Sequence, residues 1–86
     1  MKLAKAMEKF CKREGLDFRS NYSGRYMFGK TCVGIVCESP EETLVKMICF
    51  LADNKVDFER DKVKNVKVDN MGLDYIIYFP RINTEE

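Results

Sequence analysis

The chain has 86 residues, of which 45% are hydrophobic, 34% charged and 12% aromatic, and its 15 basic and 14 acidic side chains leave a net charge of +1. This length suffices for one small domain with a modest core and leaves little room for a deep substrate cleft. The absence of histidine removes the commonest acid–base group and the commonest metal ligand, and the longest apolar run, Met47 to Ala52, falls far short of the ~20 residues that span a bilayer.

In chain order, Leu3, Ala6, Met7, Phe10 and Cys11 recur at i, i+3, i+4, i+7 and i+8, the spacing of one apolar helix face, and Gly15 ends the helix. Lys2, Lys5, Lys9 and Lys12 form a basic stripe beside that face. Residues 16–22 have extended character, and T-C-V-G-I-V-C (residues 31–37) is a strand of small and β-branched residues. The glycine-bounded stretch 23–30 joins the two as a hairpin, with Gly24 and Gly29 free to take positive φ. Ser39-Pro40-Glu41-Glu42 is a helix start, with Ser39 as N-cap, proline at the first position and Glu42 placed to close a capping box. The helix that follows, from 40 to about 54, is apolar almost all round. Either the first helix lies alongside it, or Met47 and Phe50 form an interface, including that of a homodimer. A charged linker over 55–62, a strand over 63–69, a turn at Asn70-Met71-Gly72 and a strand over 74–79 ended by Pro80 complete a second hairpin.

These elements predict one α+β domain over residues 1–80 in the order α-β-β-α-β-β. Its antiparallel sheet has about four strands in two hairpins, with two helices on one face, and residues 81–86 form a polar tail. Cys11, Cys32, Cys37 and Cys49 show no C-x-x-C pair, so no metal site is expected. Five residues apart on a strand, Cys32 and Cys37 point to opposite faces. All four cysteines read as buried thiols in a reducing compartment. No stretch has the form of a signal peptide, so the chain is expected in the cytoplasm and off the membrane.

The charge is unevenly placed: residues 1–30 carry eight basic and three acidic side chains, and residues 31–61 carry three basic and seven acidic. A positive patch of this kind suits an anionic partner, whether phosphate, nucleic acid or an acidic protein face. No triad, P-loop, metal cluster or dinucleotide fingerprint stands out, so neither an enzyme nor a cofactor is expected. The densest chemistry is S-G-R-Y-M-F-G-K (residues 23–30). There Arg25, Lys30 and the Ser23 hydroxyl stand among glycines whose amides can approach an anion closely. The same loop is equally a hairpin tip on which Tyr26, Met27 and Phe28 fold back over the core. If both hairpins share one sheet, Arg25 or Lys30 comes near Asp69, as a ligand pocket or as an ion pair.

S-G-R-Y-M-F-G-K-T-C (residues 23–32) and D-N-M-G-L-D-Y-I-I-Y-F-P (residues 69–80) resemble segments of a group of short bacteriophage and prophage proteins. That group shares S-G-R-x-M-x-G-K-x-C and D-x-M-G-L ahead of an apolar strand. The matching residues are Ser23, Gly24, Arg25, Met27, Gly29, Lys30, Cys32, Asp69, Met71 and Gly72, while Tyr26 stands where the group carries a small residue. The resemblance implies a phage-type accessory protein in the bacterial cytoplasm and carries no activity with it. The first functional expectation is therefore a binding protein that blocks a bacterial host protein, such as a defence nuclease, through a charged surface. The second is a nucleotide or nucleic-acid binder using Arg19, Arg25, Lys30 and the lysine stripe, against which a pI near 7.6 weighs.

Overall fold

The structure, a computed structural model, describes residues 2–83. The first apolar face folds as helix α1 (Leu3–Glu14), and Leu3, Ala6, Met7, Phe10 and Cys11 are all buried. It stops at Gly15, whose φ of 69° is left-handed, and the amides of Gly15 and Leu16 both reach the Cys11 carbonyl. Strands β1 (Asp17–Tyr22) and β2 (Cys32–Cys37) form the first hairpin, helix α2 (Pro40–Asp53) and the short helix α3 (Arg60–Lys64) follow, and β3 (Lys67–Met71) and β4 (Asp74–Phe79) form the second hairpin. β2 pairs with β4, from Val33 opposite Phe79 to Cys37 opposite Tyr75. The two hairpins thus merge into one antiparallel sheet of order β1-β2-β4-β3, the α+β arrangement expected from the sequence, with α3 as an addition.

Strand alternation sorts the side chains into two layers. Val33, Ile35 and Cys37 of β2 and Ile77 and Phe79 of β4 meet Met7, Phe10, Met47 and Leu51 of the helices. On the other face Cys32 and Tyr78 enclose Met27 from the β1–β2 loop, and Tyr22 packs against them. Cys32 and Cys37 accordingly lie on opposite faces. Cys11, Cys32 and Cys37 are buried thiols, but Cys49 is exposed. It lies off the inner stripe of α2, which is Thr43, Met47 and Leu51 at i, i+4 and i+8.

That stripe also corrects the interface expected at Met47 and Phe50. Met47 is 0% exposed and is core. Phe50 packs half-buried against Phe10, ring centroids 5.7 Å apart, with the Arg13 guanidinium 4.8 Å above its ring. The helix hides these faces within one chain because α1 lies beside it, and its outward apolar residues are instead Val45 and Ile48. Ser39 is the N-cap of α2 but makes no side-chain capping bond. Glu42, expected to close the box, reaches forward to Lys46 at 3.2 Å.

Two boundaries also move. β3 begins at Lys67, because residues 60–64 coil into α3 and deliver Val63 to the core. The turn of that hairpin is Gly72-Leu73, with Gly72 at φ 68°. Residues 81–83 are not a loose tail. Ile82 is fully buried, its amide donates to the Phe79 carbonyl, and its own carbonyl accepts from the Val33 amide at 2.9 Å. The domain therefore runs beyond residue 80, and the rest of the expected tail, residues 84–86, lies outside the described residues. Among the described residues no helix is long and apolar enough to cross a membrane.

Candidate binding surface

The β1–β2 loop is built as two successive turns: the Met27 amide donates to the Gly24 carbonyl and the Lys30 amide to the Met27 carbonyl, each at 3.0 Å. Phe28 (φ 50°) and Gly29 (φ 83°) both take left-handed backbone to close the second turn. Two residues fasten the loop to the sheet. Met27 is buried on Cys32 and Tyr78, and Gly24 lies so close to the Tyr78 ring that a Cβ there would stand 2.5 Å from a ring carbon. Gly24 thus serves close packing rather than positive φ or ligand approach, and only Gly29 has the expected backbone freedom.

The expectation that Tyr26, Met27 and Phe28 all fold back holds for Met27 alone. Tyr26 is 53% and Phe28 89% exposed, because adjacent residues of a tight loop project to different sides and the pocket over Tyr78 admits one. The Lys67 ammonium sits 5.2 Å from the Tyr26 ring centroid, a cation–π contact. Lys67, Tyr22, Asn70 and Tyr75 were not singled out from the sequence. Three consecutive apolar residues, Tyr26-Met27-Phe28, carry no pattern that tells the inward side chain from the outward ones.

Beside the loop, Tyr22 lies across the sheet. A Cβ added to Gly34 would come 3.2 Å from the Tyr22 Cβ, so the glycine leaves space for that crossing. The ring packs against Tyr78 in a tilted contact, centroids 5.1 Å apart, and its hydroxyl donates to the Asp69 carboxylate at 2.8 Å. Burial first, and then the bond to Asp69, pushes the Tyr22 hydroxyl up to about 12. The Tyr78 hydroxyl is buried and, among the described residues, makes no hydrogen bond of good geometry; burial raises it, and the Tyr26 backbone nearby offsets part of that rise.

Arg25 and Asp69 do come together: with Tyr22, Val68, Asn70 and Tyr75 they line an open depression of about 430 Å³. Of the two alternatives, the ion pair is not formed; Asp69 accepts from the Tyr22 hydroxyl instead. Lys30 and Ser23 stay exposed on the loop, away from that depression. Arg19 pairs with Asp17 at 2.9 Å on its own strand and joins neither. The opposite end of the sheet is acidic, where Glu14, Asp17, Glu38, Glu42 and Asp74 surround a groove with one cation, Lys46. Arg13 and Arg19 pair with Glu14 and Asp17 at that end, and Arg25, Lys30 and Lys67 stand at the loop end. Among the described residues no cluster of cysteine and carboxylate side chains is arranged to hold a metal ion. No family model matches the chain, and no curated protein or solved structure matches it either.

Proposed function

We propose that this chain works by binding, as a small phage-type accessory protein whose β1–β2 loop docks on an acidic face of a bacterial host protein and blocks it. The observation that carries this reading is a loop anchored on the sheet that leaves the aromatic ring of Phe28 89% exposed. Met27 and Gly24 anchor it from beneath, while Phe28 and Tyr26 stand out between Arg25 and Lys30. Aromatic and arginine side chains dominate binding energy at protein interfaces, and a loop already held in shape loses little entropy on docking. The cations around it steer an acidic partner and fix its register. The bacterial host as partner rests on the resemblance of residues 23–32 and 69–80 to phage proteins.

Capture from a bacterial lysate on the immobilised chain, followed by titration of the captured protein, tests this. Phe28→Ala should weaken binding by about 2 kcal/mol, whereas Arg25→Ala with Lys30→Ala should slow association and flatten its dependence on salt. Unchanged affinity in both variants would remove the loop from the interface. Tight binding of an oligonucleotide, with log affinity falling linearly against log salt, would replace the protein partner by nucleic acid.

A further inference from the structure

β3 is an edge strand whose outer side meets no other strand among the described residues. Met71 and Asp74 close a two-residue turn, which makes them a hydrogen-bonded pair. Bonded pairs then recur at Asp69–Ile76 and Lys67–Tyr78. Val68 and Asn70, the residues between, turn their amides and carbonyls away from β4 toward open solvent. The other edge of the sheet, β1, is interrupted by a register shift between Arg19 and Tyr22, a usual protection against strand addition. β3 has no such irregularity, and on the helix side Val68 and Tyr75 beside it are 50% and 40% exposed.

We infer that this edge pairs with a second copy of the chain, β3 against β3 about a two-fold axis at Val68, to form one continuous eight-stranded sheet. The backbone allows only registers in which 66, 68 and 70 of one strand bond to 66, 68 and 70 of the other, because these carry the outward amides and carbonyls. With Val68 opposite Val68 of the second copy, Lys67 faces Asp69 of the second copy and Asp69 faces its Lys67. Both are non-bonded positions, where antiparallel side chains come closest. A slip of two residues either way sets Lys67 against Lys67, or Asp69 against Asp69, so charge selects one register. The strand is thus complementary to itself, as an isologous dimer requires. Lys67 and Asp69 are both positioned beforehand, by the Tyr26 ring and the Tyr22 hydroxyl. On the other face, ~4.8 Å per strand places the two α2 helices, each over its own β4, about 14 Å apart. Val68 and Tyr75 of both copies lie in that gap, where they are covered. The pairing requires no partner at the β1–β2 loop, although the Tyr26 ring of that loop positions Lys67.

Sedimentation equilibrium up to about 1 mM checks it, since a short edge pairing is a small and therefore weak interface. Wild type should show monomer and dimer, and a monomer throughout overturns the inference. Lys67→Glu should weaken the dimer roughly tenfold or more, because two attractive pairs become two repulsive ones. A dimer unaffected by that change overturns the register. Lys67→Glu chains mixed with Asp69→Lys chains should associate with each other better than either does alone, with folding verified by circular dichroism. Failure to do so when both are folded also counts against the pairing. Should Asp69→Lys not fold, amide exchange in the unaltered protein decides: protection at Val68 and Asn70 must rise with concentration, and rates that stay constant overturn the pairing.

Discussion

Gly24 and Gly34 look alike in the sequence, each a glycine within or beside a strand, yet their neighbours make them unequal. A methyl at Gly24 meets two carbons of the Tyr78 ring at 2.5 and 2.6 Å and a carbon of the Tyr22 ring at 2.9 Å, all in a packed cluster with no room to retreat. At Gly34 the only atom under 3.0 Å is the Ile76 Cδ1, at 2.9 Å and at the far end of its side chain, with the Tyr22 Cβ next at 3.2 Å. Gly24→Ala should therefore cost about 1–3 kcal/mol, in the range of overpacked cores, and Gly34→Ala less, as read from urea midpoints of the two variants. Equal midpoints would contradict the packing described for Gly24. No sequence argument reaches this difference, because the atoms that restrict Gly24 belong to a tyrosine far along the chain. Gly15 was legible because its role is local: a helix must end there, and the residue after the last turn takes left-handed backbone.

Among the elements, β1 and β3 stand at opposite edges of the sheet, and the Tyr22 side chain ties them by reaching Asp69 over the strands between. An unfolded tyrosine has a pKa near 10, and in the fold Tyr22 is raised to about 12. The folded chain thus holds that proton more tightly, so the stabilisation is fully present below pH 10 and is lost as the pH rises to 12. Cys11, raised to about 12 mainly by burial, loses stabilisation over an overlapping range, so the Tyr22 contribution is read by difference. Tyr22→Phe should start about 1 kcal/mol less stable at neutral pH, the worth of one hydrogen bond, and should decline less between pH 10 and 12. Parallel denaturation curves across that range would dissociate Tyr22 from the alkaline loss. Helix α2 shows the limit of periodicity at this scale. Its apolar residues announce a helix in the core, but which of them face inward depends on α1 alongside, and only the packed structure separates Met47 from Val45.

At the scale of the molecule, the hairpins, both long helices and their order follow from patterns of two and of 3.6 residues, which are local and therefore readable. The end of the domain was not readable, because Ile82 stands alone among polar residues and its value comes from the β2 ladder it extends. Ile82→Ala should cost about 2–5 kcal/mol, as for other buried aliphatic side chains, while exposed Val45→Ala should stay within about 0.5 kcal/mol. Comparable thermal midpoints for the two would mean the domain ends before Ile82. The strand order β1-β2-β4-β3 has a bearing on how the molecule comes into being. Strands leave the ribosome in numerical order, yet the fourth belongs in the interior, beside the second. Until it arrives, the rim of β2 that β4 will occupy has no strand to pair with, and the layer between sheet and helices lacks Ile77 and Phe79. A nascent chain of this protein therefore holds back its fold until the last strand is made, and during that wait its unguarded β2 rim is what a chaperone would shield.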